Sequence, residues 1–197
     1  MNYLAHLVLS RHDPKCLLGN FIGDEVKGKA YQNYPNDIAL GIKMHRAIDN
    51  FMDSHPVVKE SKTRIRPSQG KFSGVVLDVF YDYLLCKNWN RYIDQEFGDF
   101  IEDIYSQLRQ QKDLMPRFSQ LIIEKMVEGD WLGNYQKIAG IERALTGLSR
   151  RTPYKNNMSS AATLLEQQEQ QFSQEFNIYF PQVIDFCALF LSEHGQA

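Results

Sequence analysis

The chain has 197 residues, 43% of them hydrophobic and 23% charged, which is the balance of an ordinary globular protein and excludes a disordered or fibrous one. That length suits one hydrophobic core, and residues 1–197 read as a single domain. A formal net charge of -2 lacks the basic excess of a general nucleic-acid binder, so any charged partner must be met by a local patch.

Helical signals run from end to end, and no stretch shows the sustained alternation that marks strands, so the expected fold class is all-α. A short first helix holds Asn2, His6 and Leu9. Asp13 followed by Pro14 gives an N-cap and a first helical position, and the stripe Leu17, Leu18, Phe21, Ile22 continues a helix over Pro14–Lys27, with Gly28 as its stop. The next helix starts near Pro35, runs through Ile38, Ile42, Ile48 and Met52, and stops ahead of Pro56. Another follows over Pro56–Arg66. The segment RPSQGK, residues 66–71, gathers Pro, Ser and Gly and reads as a loop. From Phe72 to Trp89 apolar residues occur on every face, which predicts a helix through the core. Further helices are expected over Phe97–Lys112, Pro116–Glu128, Ile138–Ser149, Ala161–Tyr179 and Pro181–Glu193.

The N-terminal apolar run lacks the basic flank and small-residue cleavage site of a signal peptide, and no run has the length that crosses a bilayer. Cys16, Cys86 and Cys187 have no CxxC spacing, which argues against a thiolate site or a disulfide framework. A cytoplasmic setting is expected. No GxxxxGK[ST], GxGxxG or GxSxG pattern is present, and Cys86 reads as a buried, inert thiol.

The informative residues are polar ones at core-facing positions. His45 and Asp49 stand one helical turn apart on the stripe of Ile38, Ile42 and Met52, and Asp78 and Asp82 share a stripe inside the core helix. Asn20 with Asp24 and Asn2 with His6 repeat the spacing. Buried carboxylates are costly unless paired or bound to metal, and several helices each delivering an imidazole or carboxylate is how bundle-core metal sites are built. A donor set without thiolate suits Mn2+ or Mg2+, with iron or zinc as further possibilities. Asp53 and His55 read as capping or solvent contacts, and Arg46 as a partner for a carboxylate or a phosphate. The dipeptide His12–Asp13 is declined as a ligand pair, since Pro14 makes Asp13 an N-cap.

The runs NYLAHL, LLGNFIGDEVKG, GIKMHRAIDNFMDSHP and LDVFYDYLL, in this order and spacing, resemble the acyl carrier protein phosphodiesterase family. The resemblance implies a helical bundle related to HD-domain phosphohydrolases and a cytoplasmic, manganese-dependent enzyme, with Mg2+ or Fe2+ as substitutes. Its reaction would be hydrolysis of the phosphodiester between 4'-phosphopantetheine and a serine of holo-acyl carrier protein. The family's motifs fall on His6, Asp24 and Asp78 as metal residues, with His45 and Asp49 completing the site and Asp82 a weaker catalytic candidate. Where the parent superfamily has His beside Asp, Gly23 precedes Asp24, and His45 is the expected substitute imidazole. Because the carrier protein is typically acidic, the basic stretches with Arg64 and Arg66, and with Arg150 and Arg151, are candidate docking residues, with neither nucleic acid nor membrane expected as partner. The alternatives are a related hydrolase of nucleotides or small phosphodiesters, and a non-catalytic helical binding protein with a structural polar network.

Overall fold

Apolar residues at helical spacing, punctuated by Pro and Gly, fold into helices, and among the described residues there is no strand. The structure, a computed structural model, describes residues 2–195. The helices are α1 (Tyr3–Leu9), α2 (Pro14–Ile22), α3 (Asn36–Ser54), α4 (Pro56–Gln69), α5 (Ser73–Lys87), α6 (Trp89–Tyr92), α7 (Phe97–Gln110), α8 (Arg117–Glu128), α9 (Trp131–Asn134), α10 (Ile138–Arg151) and α11 (Ala161–His194). They form one all-α domain around α5, which packs against α1, α4, α10 and α11. Val76, Leu77, Phe80, Tyr81, Leu84 and Leu85 of α5 are fully buried, as a helix apolar on most faces requires. No described helix is long and apolar enough to cross a membrane.

Three helix ends differ from the sequence reading. α2 stops at Ile22, not Lys27, because the chain turns back after Gly23 and the carbonyls of Val26 and Gly28 accept hydrogen bonds from Arg46 at 2.6 and 2.8 Å. Arg46 therefore fastens this turn through two backbone carbonyls. α4 runs on through Pro67 to Gln69, since Gln69 is buried on the face that carries the fully buried Ile65, and the left-handed Gly70 (φ 52°) ends it. α11 continues across Pro181 because Phe176, Tyr179, Phe180 and Val183 bury one stripe spanning it. Its irregular backbone lies at Gln168 instead (φ -128°, ψ 22°), inside the Glu- and Gln-rich run.

α2 packs closely against α3. A Cβ on Gly19 would lie 2.1 Å from the Ile38 carbonyl oxygen, and one on Gly41 would lie 2.1 Å from that of Cys16. Only glycine at both positions lets the two backbones touch. This contact sets the backbone of Asn20 directly against His45.

Candidate metal site

α1 is short and would be marginal alone, so its entry into the core must be held from outside. Asp82 of α5 does this, accepting the amide hydrogens of Leu4 at 2.9 Å and Ala5 at 3.0 Å, two of the donors that a helix N-terminus leaves without partners. Burial pushes the Asp82 carboxyl up to about 7, against the pull of those two amides toward the charged form. One turn further on, α1 delivers His6 to the core.

His6 and His45 stack with ring centroids 4.1 Å apart, and Asn20 fixes both. Its side-chain oxygen accepts from His6 Nδ1 at 2.8 Å and lies 3.2 Å from His45 Nδ1, while its backbone oxygen accepts from His45 Nδ1 at 2.8 Å. The Asn20 amide nitrogen donates to the His6 carbonyl at 3.1 Å, which sets the orientation of the side chain. Both Nδ1 atoms therefore carry protons, and both Nε2 atoms turn toward Asp49. His6 Nε2 stands 3.2 Å from one Asp49 oxygen and His45 Nε2 3.3 Å from the other.

The charges on this cluster follow from burial and neighbours. Burial lowers His6 to about 4, with the adjacent His45 adding to the effect, so His6 is neutral at pH 7. Burial also works against charge on His45, but Asp24 and Asp49 outweigh it and raise His45 to about 9. Partial burial would raise Asp49, yet the imidazoles of His45 and His6 that face it hold its carboxyl well below the usual carboxylate range. A neutral His6 whose Nδ1 proton is committed to Asn20 presents a lone pair to a carboxylate oxygen, an arrangement that calls for a cation between them. His45 Nε2 is buried and makes no geometrically sound hydrogen bond. One ligand atom each from His6, His45 and Asp49 lies within 4.8 Å of the other two. Two imidazoles oriented through their far nitrogens by an amide and a backbone carbonyl, together with one carboxylate, make a donor set that fits a divalent ion.

The family's sequence profile matches residues 1–183. The chain belongs to the acyl carrier protein phosphodiesterase family. Proteins named acyl carrier protein phosphodiesterase from an Enterobacter species, Yersinia enterocolitica and Pectobacterium atrosepticum are 32%, 31% and 31% identical to it. The matches cover 93%, 92% and 95% of this chain and 96%, 94% and 97% of those proteins, respectively. No solved structure matches the chain significantly.

In this member of the acyl carrier protein phosphodiesterase family, the fold gathers some of the sequence-derived residues and separates others. His6, His45 and Asp49 converge. Asp24 does not share a helix face with Asn20, because α2 has ended before it; it is exposed and reaches the cluster only through His45 Nε2, at 3.5 Å. The facing His45 imidazole lowers its carboxyl below the ordinary value. Asp78 is half-buried on α5 and outside the group of three, and burial raises its carboxyl. Asp82 commits both oxygens to α1 and so supports the position of His6. Asn2 turns away from the cluster and donates to the Tyr135 hydroxyl at 2.9 Å.

Gly23 makes room for the His45 ring. A Cβ there would fall 2.4 Å from His45 Cγ, so the His45 ring fills the space that a side chain at position 23 would need. Arg64 is no free docking cation: it pairs with the buried Glu175, which Ser61 also hydrogen-bonds. Arg66, Arg150 and Arg151 are exposed. Asp53 pairs with Lys62 at 2.5 Å, and His55 caps the end of α3 and the start of α4, as expected, with its side chain buried against Tyr179. Asp13 N-caps α2 by accepting from the Cys16 amide at 2.6 Å, leaving His12 exposed. The three cysteines are free, and burial raises the Cys86 thiol far above its ordinary value. The sequence reading passed over two features, Asn20 as organiser of both rings and the pairing of Gly19 with Gly41. Two glycines inside strongly periodic helical segments were the available signal.

Proposed function

We propose that the protein hydrolyses the phosphodiester joining 4'-phosphopantetheine to the serine of holo-acyl carrier protein, using a divalent ion held by His6, His45 and Asp49. The observation that carries this reading is the convergence of His6 Nε2, His45 Nε2 and Asp49, with both Nδ1 protons taken up by Asn20. Two imidazoles with a carboxylate favour Mn2+, or Fe2+, over Mg2+, which prefers oxygen ligands. An ion bound there supplies Lewis-acid polarisation of a phosphoryl oxygen and makes a water acidic enough to attack at neutral pH. Asp24, exposed beside His45, is the carboxylate in position to accept that water's proton. Asp78, electrostatically coupled to Asp49, would add an oxygen ligand or orient one. Asp82 fixes α1 and so the reach of His6. The exposed Arg66, Arg150 and Arg151 would meet an acidic carrier protein, and three free thiols fit a cytoplasmic setting.

Intact-mass analysis of purified holo-acyl carrier protein tests the reaction. Incubation with the protein and Mn2+ should remove the mass of the whole phosphopantetheine arm, and prior treatment with a chelator should prevent it. Loss of part of the arm, or cleavage that survives complete metal removal, contradicts the proposal.

A further inference from the structure

Tyr3, the first residue of α1, borders two spaces. On one side lies the groove that carries Asp24 at its edge, floored by Phe21 and Ser119. On the other is a cavity of about 290 Å³ between α1, α9 and α10, close to the lower end of the range for small-molecule sites. Its walls are mainly apolar, from Tyr3, Trp131, Ala144 and Leu148, with polar groups from Asn2 and Arg151. The Arg151 guanidinium lies against the Tyr3 hydroxyl. The groove that holds Asp24, 3.5 Å from His45 Nε2, and the cavity thus share Tyr3 as a common wall.

Gly147 of α10 lines this cavity, and no atom lies within 4 Å of the place its Cβ would take. A glycine inside a helix costs about 0.5–1 kcal/mol relative to alanine. Neither the backbone nor any neighbour requires it here, so its effect is to keep the cavity open.

We propose that this cavity receives the pantetheine arm of the substrate while the phosphodiester sits at His6, His45 and Asp49; the inference rests on the reaction proposed above. Beyond its phosphate the arm is an uncharged chain with a dimethyl-substituted carbon, two amides and a terminal thiol. Tyr3, Trp131 and Leu148 offer apolar surface to the methylenes and methyls. Asn2, Arg151 and the Tyr3 hydroxyl offer hydrogen bonds to the amides. A small phosphodiester would occupy the metal site without entering the cavity.

The test uses the full chain with Gly147→Leu and Gly147→Phe, which fill the space with no backbone clash and with helix propensity gained. With Mn2+ present, kcat/KM for holo-acyl carrier protein should fall at least ~10-fold in Gly147→Phe and less in Gly147→Leu, while bis(4-nitrophenyl) phosphate is turned over as by wild type. Pantetheine lacking the phosphate should perturb Trp131 emission in the wild type and not in Gly147→Phe. Unchanged holo-protein cleavage by Gly147→Phe, or pantetheine binding equal in both proteins, overturns the assignment. If the wild type removes no arm from the holo-protein, the proposed reaction has failed, and the pantetheine titration alone decides the cavity.

Discussion

Asp49→Ala is expected to lose the bound divalent ion and to drop phosphodiesterase kcat/KM by at least ~100-fold, with its helical content unchanged. Asp49 sets one carboxylate oxygen against each Nε2 atom, at 3.2 and 3.3 Å. Without it two stacked imidazoles remain, one of them neutral, and the carboxylate that faces both of them is gone. Asp49→Asn keeps the shape and should fail equally, which separates loss of charge from loss of packing. His6→Ala and His45→Ala should follow Asp49→Ala. His12→Ala, on the exposed residue beside the α2 N-cap, should behave as wild type. Metal content after dialysis, read beside turnover, checks the series; wild-type metal content in Asp49→Asn would remove Asp49 from the site.

Gly41→Ala should be strongly destabilising although it adds only one methyl to a helix. The new Cβ would sit 2.1 Å from the Cys16 carbonyl oxygen and 2.9 Å from the Asn20 amide nitrogen, both backbone atoms with no rotamer to escape into. The helices must part, at a cost of about 3 kcal/mol or more, despite the propensity gained on leaving glycine. For a chain of this size that corresponds to a melting temperature lower by about 6–12 °C. Parting α2 from α3 also withdraws the Asn20 carbonyl from His45, so metal affinity should weaken beyond what the loss of stability explains. Gly147→Ala, in open space, should melt at or slightly above the wild-type temperature. Thermal denaturation of the metal-free proteins decides, and a Gly41→Ala protein as stable as wild type would mean that the contact between α2 and α3 yields more easily than its geometry implies.

Much of this arrangement could be read from residues alone, for reasons that also mark where reading stops. The core helix was legible because Val76, Leu77, Phe80, Leu84 and Leu85 leave it little exposed face. His45 with Asp49, and His6 in its short helix, were legible because a polar side chain on an apolar stripe needs a partner. Asp24 was misplaced because periodicity through residue 27 hides a turn held by Arg46, a residue distant in sequence from the carbonyls it caps. Asp82 carries the same inward signal as a ligand, yet its partners are backbone amides of another helix, which side-chain patterning does not encode. Arg64 looked like part of a basic surface until folding brought Glu175 to it from 111 residues away. Pro67 and Pro181 read as breaks, and burial of the turns around them overrode the local cost.

Calorimetric titration of Mn2+ in buffers of different ionisation enthalpy tests whether His6, His45 and Asp49 take one divalent ion. In the absence of the ion His45 is raised to about 9 and is charged at pH 7.5, whereas His6, at about 4, is already neutral. Binding must therefore expel close to one proton per ion, and that proton comes from His45. The sign follows: apparent affinity rises with pH up to about 9, where His45 no longer holds its proton, and weakens about tenfold per pH unit below that until His6 begins to compete near 4. One ion should bind per chain with about one proton released at pH 7.5, and no such release should occur in His45→Ala. Tight binding with no proton release, or release that persists in His45→Ala, would contradict the three-residue site.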